Sequence, residues 1–499
     1  MKRYLALDMG AESGRLMAVS IDDQISTQEI HRFLTPVKSD SKNRRCWDFP
    51  KIIDEVITAL LKASDSGPFE ALAVDTWGLD FGLIDKNGEL IELPVSHRDH
   101  RTDGMLAKAQ RLVGKKRLHF ESGCQLLEVN SIYQLLAIAQ QTPDEFEKAK
   151  YLLFMPDLIL YALTGVIGTE YTIASTSGLY DVVGDKWAEN LAKDLQIPLH
   201  IFTKVDDPGT IRGELKKELQ DKTSIGPIKC IATTSHDTAS AVFATPLITP
   251  GSAYISSGTW SLLGVELKQP VVNEITMNER LTNGGGYNRS IRLLRNIMGL
   301  WLIQEVRRDL KESGIDLTYA QLVEQAQQVL DPFATLIFVD ASLFIHAGGM
   351  IERIQRFAKN TNQKIPTSPG EIAQTVFVSL ALQYAKTCDS LALLSNLPMP
   401  AIHIVGGGSQ NEHLCQLTAD ISGREVIAGP VEATALGNAM VSAIAIGGHS
   451  HLTDTISARR LIENSNLGLK KFLPSQGRDI NTIAQVRTRY EILTQEDMR

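Results

Sequence analysis

Two stretches half a chain apart resemble each other: YLALDMGAESGRLMAVSI at residues 4–21 and AYISSGTWSLLGVEL at residues 253–267. Each is an apolar, β-prone run, a polar turn with glycine and hydroxyls, and a second apolar run, which reads as a β-hairpin. A repeat at that distance suggests two like-folded domains rather than a solenoid, whose period is a few tens of residues. An undivided α/β protein also contains several strand-turn-strand pieces, so the pattern alone leaves both arrangements open. With 499 residues, 43% of them hydrophobic, the chain has enough apolar side chains to bury two or three cores.

Charge and cysteine usage narrow the class. Fifty Lys and Arg against 58 Asp and Glu give a net charge of -8 with no basic run, so generic attraction to nucleic acid or anionic membrane is not expected. Five separated cysteines without a CxxC pair suit a reduced, cytoplasmic protein. The apolar run after Lys2 and Arg3 ends at Asp8, too soon for a signal peptide. Tyr151 to Thr169 is interrupted by Pro156 and Asp157 and reads as a buried element, not a membrane span.

Elsewhere, strands and helices alternate with short connections, as in mixed α/β domains. Leu72 to Val74 reads as a buried strand, and Asn87-Gly88 as a tight turn. Ser368, Pro369 and Glu371 form a helix start of the capping-box kind, followed by Ile372, Val376 and Leu380 on one face. AIHIVGGGSQN, residues 401–411, reads as a buried strand running into a glycine turn. A joint is expected at Phe243 to Gly251, where prolines and glycine separate periodic segments. The last fifty residues are too few for a domain; they end in the helical run QVRTRYEILTQEDMR and are expected to pack back on the fold.

No GxxxxGK[ST], GxGxxG behind a strand, HExxH, Cys/His grouping or GxSxG is present. Phosphate chemistry has another route. In the turn DMGAESGR, Gly10 and Gly14 would let backbone N–H groups approach an anion, Ser13 and Arg15 add donors, and Asp8 at the strand end is suited to hydrated Mg²⁺. The second hairpin offers SSGT, residues 256–259, with donors but no carboxylate. Either turn taken alone also fits an ordinary polar turn. In IKCIATTSHDTASAVFAT, a strand at Lys229 to Thr233 delivers Ser235, His236, Asp237 and Thr238 at its carboxyl end, where open α/β sheets bind ligands. Asp237 there fits a base accepting a proton from a substrate hydroxyl, and equally a helix N-cap. VDTWGLDFG with Asp75, Trp77, Gly78 and Asp80, and HRDHRTDG after it, offer an aromatic plane, carboxylates and arginines for a polyol, or a solvated loop around a core tryptophan. Asn296 and Gln304 are expected on one helix, about 12 Å apart at 1.5 Å per residue.

Together these segments resemble the FGGY carbohydrate kinases, through DMGAESGR, WDFP, VDTWGLDFGL, HRDHRT, MPDLILYALTG, DPGTIRGEL, SHDTASAV, SSGTWSLLG, RNIMGLWLIQE, IVGGGSQN and GPVEATALGN in family order. The resemblance implies two actin-like (ribonuclease H-like, ASKHA) α/β domains with a cleft between them: residues 1–246 on the sugar side, 247–447 on the nucleotide side, and 448–499 as an extension. It implies ATP-dependent phosphorylation of a ketose, with L-rhamnulose foremost and L-fuculose or xylulose as alternatives; a non-catalytic sugar or nucleotide sensor is the reading of another class. Asp237 would be the base. His236, Asp237, Thr238, Gly78 and Asn296 would bind the sugar, with Arg98 and Asp99 beside it. Ala11, Glu12, Ser13, Gly14, Arg15, Thr259, Gln304 and Gly407 would bind ATP, and Asp8 the Mg²⁺ water shell. Partners would be the ketose and ATP, with no nucleic acid or membrane, in a monomer or homodimer. Two residues depart from expectation: Glu12 puts a carboxylate in a phosphate turn, and His97 stands where an aromatic hydroxyl is expected.

Overall fold

The computed structural model describes residues 1–477 and 479–496. The chain forms two compact units, each assembled from three stretches. The first takes residues 1–248, 266–294 and 433–467; the second takes 249–265, 295–432 and the described part of 468–499.

In the first unit, β1 (Lys2–Met9), β2 (Ser13–Ile21) and β3 (Ile25–Leu34) form an antiparallel meander. On its other side β1 pairs in parallel with β4 (Ala71–Thr76), which sets Asp8 opposite Asp75. With β5 (Thr210–Glu214) and β6 (Lys229–Ala232) the sheet has six strands in the order β5-β6-β4-β1-β2-β3. Its parallel centre is apolar on both faces because both are covered: Leu5 to Leu7, Leu72 to Val74 and Cys230 to Ala232 are all buried. Helix α1 (Phe49–Ser64) covers one side with Ile52, Val56, Ala59, Leu60 and Ala63. Helix α2 (Asp237–Ala244) follows β6 and packs against the helix Ala433–Ala445, so closely that a Cβ on Gly437 would stand 1.9 Å from the Ser240 carbonyl oxygen.

The second unit repeats the theme. β7 (Ala253–Ser257) and β8 (Trp260–Leu267) form the second hairpin, and β7 pairs in parallel with β10 (Ala401–Val405) as β1 does with β4. With β9 (Ile291–Met298), whose last residues belong to this unit, β11 (Glu425–Ala428) and β12 (Lys470–Phe472), the order is β9-β8-β7-β10-β11-β12. The hairpin repeat therefore marks a repeated sheet plan, a hairpin followed by a parallel neighbour.

Asn296 does not share a helix with Gln304. IRLLRNIM is strand β9; a Cβ on Gly299 would come within 2.7 Å of the Ser261 backbone nitrogen, so only glycine allows the turn before helix α3 (Trp301–Glu312). Helix α4 (Pro369–Ser395) begins with the expected capping box, Ser368 Oγ accepting from the Glu371 N–H. Ile372, Val376 and Leu380 are buried, but so are Gln374, Ser379 and Gln383, which makes α4 enclosed nearly all round rather than one-sided. Tyr151 to Thr169 is a strand (Ala149–Phe154) followed by a buried helix (Met155–Thr164), and no described helix is long and apolar enough to cross a membrane. All five cysteines are buried and free. The final helix, Ile480–Glu496, buries Val486 and Tyr490 against α4, where the Tyr490 hydroxyl lies 3.0 Å from Gln383 Oε1; the last three residues of QVRTRYEILTQEDMR lie outside the described residues.

Candidate active site

The carboxyl ends of β1, β4 and β6 meet at one place in the first unit. The Trp77 N–H donates to the Met9 carbonyl and the Thr76 N–H to the Ser235 carbonyl, at 3.1 and 2.9 Å. These bonds knit the turn after β1, the Gly78 loop and the His236-Asp237 turn together, which gathers three carboxylates, Asp8, Asp75 and Asp237.

Each carboxylate has different surroundings. Asp8 Oδ2 accepts from Arg15 Nε and Nη2, at 3.1 and 2.9 Å. Asp75 is fully buried; its Oδ2 accepts from Asn438 Nδ2 at 2.6 Å, and its Oδ1 has no partner. Burial, reinforced by Asp8, pushes its pKa well above the usual carboxylate range. Asp237 opens α2, with His236 as the cap residue, so it is the first helical residue and not the N-cap. Its Oδ1 accepts from the Thr238 N–H and, at 3.1 Å, from the Thr238 hydroxyl. Although the side chain is 32% exposed, crowding by protein atoms, with Asp8 adding to it, raises its pKa to about 7. That value suits a group that must hold and release a proton near neutrality.

The oxygen-rich donor set suits a hard cation such as Mg²⁺, and the orphaned, buried Asp75 Oδ1 is an atom that such an ion or its water would satisfy. No three described His, Cys, Asp or Glu residues form a metal-holding group on their own. The arrangement fits an ion that keeps most of its waters.

Beside this recess lies a buried polar box. Asp80 Oδ2 accepts from the indole nitrogens of Trp47 and Trp77, at 2.8 and 2.9 Å, and stands 2.9 Å from His97 Nδ1; Oδ1 accepts from Gln134 Nε2 at 3.1 Å. Burial alone would raise the Asp80 pKa, but the charge of His97 and the bonds from His97, Trp77 and Trp47 outweigh it and hold the carboxyl below its ordinary value. The VDTWGLDFG segment is therefore buried structure and not a solvated loop. His97 is anchored by this box. Arg98 is exposed, and Asp99 directs both oxygens at backbone N–H groups, those of Arg45 and Arg101, at 2.7 and 2.9 Å. Gly78 lies at the edge of the box, where a Cβ would meet Thr176 at 3.3 Å.

In the turn after β1, Ala11 and Ser13 are partly exposed and Glu12 is exposed, its carbonyl accepting from the Thr35 N–H. Gly14 is buried in β2, and a Cβ there would stand 2.3 Å from Met9 Sδ and 2.7 Å from the Phe33 ring, so those side chains would have to move to admit one.

The second unit gathers its own set at the carboxyl end of β7. The Thr259 carbonyl accepts from the N–H groups of Gly299 and Trp301, at 3.2 and 3.1 Å, which ties the second hairpin turn to the start of α3, where Gln304 lies one turn in. Gly407 is exposed, and no atom would lie within 4 Å of a Cβ there. Its neighbours Gly406 and Gly408 pack on Ser257, a Cβ on Gly408 falling 2.0 Å from Ser257 Oγ. The hairpin turn at residues 256–259 and the glycine turn at residues 406–408 thus lie side by side within this unit. Asn296 stands in β9, two residues before Met298.

Several contributors escape motif reading. Glu170 is fully buried; its Oε2 accepts from the Ser235 N–H at 3.1 Å, and the hydroxyl of Thr172 accepts from the His236 N–H at 3.1 Å, so both brace the turn that carries Asp237. Arg292 on β9, 1% exposed, reaches His236. Asn438 belongs to the recognisable GPVEATALGN segment, but its contact with Asp75 spans 363 residues of sequence.

Two like-built units, each ending a hairpin and a parallel strand in a polar turn, give the two-domain plan of the actin-like fold. Among solved structures, the xylulose kinase from Lactobacillus acidophilus superposes with a TM-score of 0.80 at 16% identity, covering 99% of this chain and 97% of that one. Plasmodium falciparum glycerol kinase with ADP gives 0.79 at 15%, covering 100% and 99%. The chain belongs to the FGGY family of carbohydrate kinases, whose N-terminal domain model matches residues 3–244 and whose C-terminal domain model matches residues 253–446. It is accordingly a sugar kinase, using ATP and a sugar. Similar relatives are the rhamnulokinases of Mannheimia succiniciproducens, 39% identical over 94% of both chains, and of Oceanobacillus iheyensis, 39% identical over 92% of this chain and 96% of that one.

Proposed function

We propose that the protein transfers the γ-phosphoryl group of ATP to the primary hydroxyl of L-rhamnulose, giving L-rhamnulose 1-phosphate and ADP. The observation that carries the chemistry is Asp237: a carboxylate at a strand's carboxyl end, its Oδ1 held by Thr238 and its pKa raised to about 7. The substrate assignment is supported by relatives named rhamnulokinase at 36–39% identity over nearly the whole chain.

Asp237 orients the attacking hydroxyl and takes its proton as the oxygen bonds to the γ-phosphorus and the bond to the β,γ-bridging oxygen breaks. His236, Thr238, Gly78 and Asn296 hold the ketose, with Arg98 and Asp99 beside them. Backbone N–H groups of Ala11 to Arg15, Thr259, Gln304 and the turn at Gly407 hold ATP; Glu12 lies on the exposed side of its turn, where its charge is screened by solvent. Bound Mg²⁺ would neutralise phosphate charge, with Asp8 Oδ1 and Asp75 Oδ1 the available oxygens toward its water shell. In this reading residues 1–246 carry the sugar side, 247–447 the nucleotide side and 448–499 an extension, in a cytoplasmic enzyme.

An ADP-release assay across L-rhamnulose, L-fuculose, xylulose and simple polyols, with and without Mg²⁺, tests this. L-rhamnulose is expected to give the highest kcat/KM, and only with Mg²⁺. Another ketose ahead by more than tenfold would replace the substrate; no turnover with any of them would favour a sensor.

A further inference from the structure

Arg292 lies on β9 with its side chain enclosed in the first unit. Its Nε donates to the Gly285 carbonyl at 2.8 Å, and its Nη2 stands 3.2 Å from His236 Nδ1. A guanidinium only donates, so Nδ1 must accept and cannot carry a proton. The second ring nitrogen, Nε2, stands 3.3 Å from Asp237 Oδ1. Burial first, and then the charge of Arg292, hold His236 well below its ordinary pKa, so the ring is neutral and its one proton resides on Nε2.

The consequence falls on Asp237. Oδ1 accepts from the Thr238 N–H and the Thr238 hydroxyl, and His236 Nε2–H stands 3.3 Å from it without the geometry of a hydrogen bond. No described residue donates to Oδ2. An oxygen with two donors and a ring N–H nearby is a weaker proton acceptor than one with none, so the two oxygens of this carboxylate are not equivalent.

We propose that Arg292 is a positioning residue for phosphoryl transfer: it holds His236 as the Nε2–H tautomer, which keeps an N–H rather than a lone pair beside the Thr238-bonded Asp237 Oδ1 and leaves Oδ2 as the atom that takes the proton from the attacking hydroxyl. The inference rests on the reading of Asp237 as the base. In the step, the hydroxyl O–H bond breaks and its proton goes to Oδ2; the freed electron pair bonds the oxygen to the γ-phosphorus, and ADP leaves with the pair of the broken P–O bond.

The groups bearing on Asp237 are Asp8 on β1, Asp75 on β4, Arg292 on β9, His236 in its own turn, and Glu170 behind Ser235. Arg292 lowers the Asp237 pKa among them, so removing its charge moves the acid limb of the pH profile upward.

Long-range imidazole ¹⁵N–¹H spectra of the full-length, [¹⁵N]histidine-labelled protein test the tautomer directly, with H236Q identifying the resonances. His236 is expected with Nδ1 unprotonated and Nε2 protonated from pH 6 to 9. Arg292→Met should mix the tautomers, lower kcat by about ten- to a hundredfold with KM within about threefold, and raise the acid limb of kcat/KM. Arg292→Lys, which keeps a charge and a donor, should restore the tautomer and most of kcat. His236 protonated at Nδ1 in the wild type overturns the proposal, as does Arg292→Met with kcat unchanged. If Arg292→Met does not fold, the wild-type spectrum and the Arg292→Lys enzyme still decide. The spectra need no sugar, so a wrong ketose assignment leaves their outcome untouched.

Discussion

Asp237 and Asp80 lie in the same unit and are driven in opposite directions. Asp237 gains a raised pKa of about 7 from crowding and from Asp8. Its kcat/KM should therefore fall as pH drops through about 7, because the protonated carboxyl no longer accepts the sugar proton. Asp237→Asn should lower kcat by about 10²- to 10⁴-fold with little change in KM, measured by steady-state ADP release; near-normal turnover would remove Asp237 as base. Asp80 is the opposite case, a buried carboxylate with four donors whose folded pKa is depressed. Such a group stabilises the fold above its ordinary value of 3.8 and loses that contribution as pH falls through the folded value. Asp80→Asn turns an amide N–H₂ toward existing donors and should cost about 3–5 kcal/mol at pH 7. The gap from wild type in urea unfolding should begin to narrow as pH falls below 3.8, where the unfolded chain takes up the proton first, and close only as pH passes the depressed folded value.

At the level of elements, the helix pair α2 and Ala433–Ala445 determines how firmly the base is held. Gly437 lies inside the second helix, where alanine would gain about 1 kcal/mol in helix propensity. A Cβ 1.9 Å from a backbone carbonyl oxygen cannot be relieved by rotating a side chain, so the helices would have to separate. The steric term wins: Gly437→Ala should lower the thermal midpoint by several degrees and reduce kcat as the start of α2 shifts. An alanine variant with unchanged calorimetric midpoint and activity would refute that ordering. Elements were also where sequence reading divided. Both hairpins and the Ser368 cap were legible because their signals are local, a period of two or a spacing of three. Asn296 was misplaced because NIMGLW carries apolar residues compatible with either period, and only the contact of Gly299 with Ser261 ends the strand there. Gly14 matched the phosphate-turn motif, yet its packing against Met9 and Phe33 is a tertiary fact.

Across the whole molecule, the contacts that sequence could not reveal are those joining distant stretches of the first unit. Asp80 takes its donors from Trp47, Trp77, His97 and Gln134, and Asp75 takes one from Asn438. Each residue alone looks like an ordinary core or surface side chain; the network exists only once the chain has returned on itself. The same return has a consequence for folding. The helix Ala433–Ala445 buries Leu436, Met440 and Val441 completely, against α2, β1 and β4. At about 1.5–3 kcal/mol for each large apolar side chain, removing it forfeits a large share of the roughly 5–15 kcal/mol that holds a domain folded. Asp75 would also lose its Asn438 partner while remaining in the sheet. A fragment of residues 1–248, although it contains all six strands of the first sheet, should therefore lack a cooperative thermal transition and expose apolar surface to a hydrophobic dye. Supplying residues 266–294 and 433–467 through short flexible linkers should restore a transition, because those stretches complete the unit. A sharp calorimetric melt for 1–248 alone would mean that the returning helix contributes far less than its burial implies.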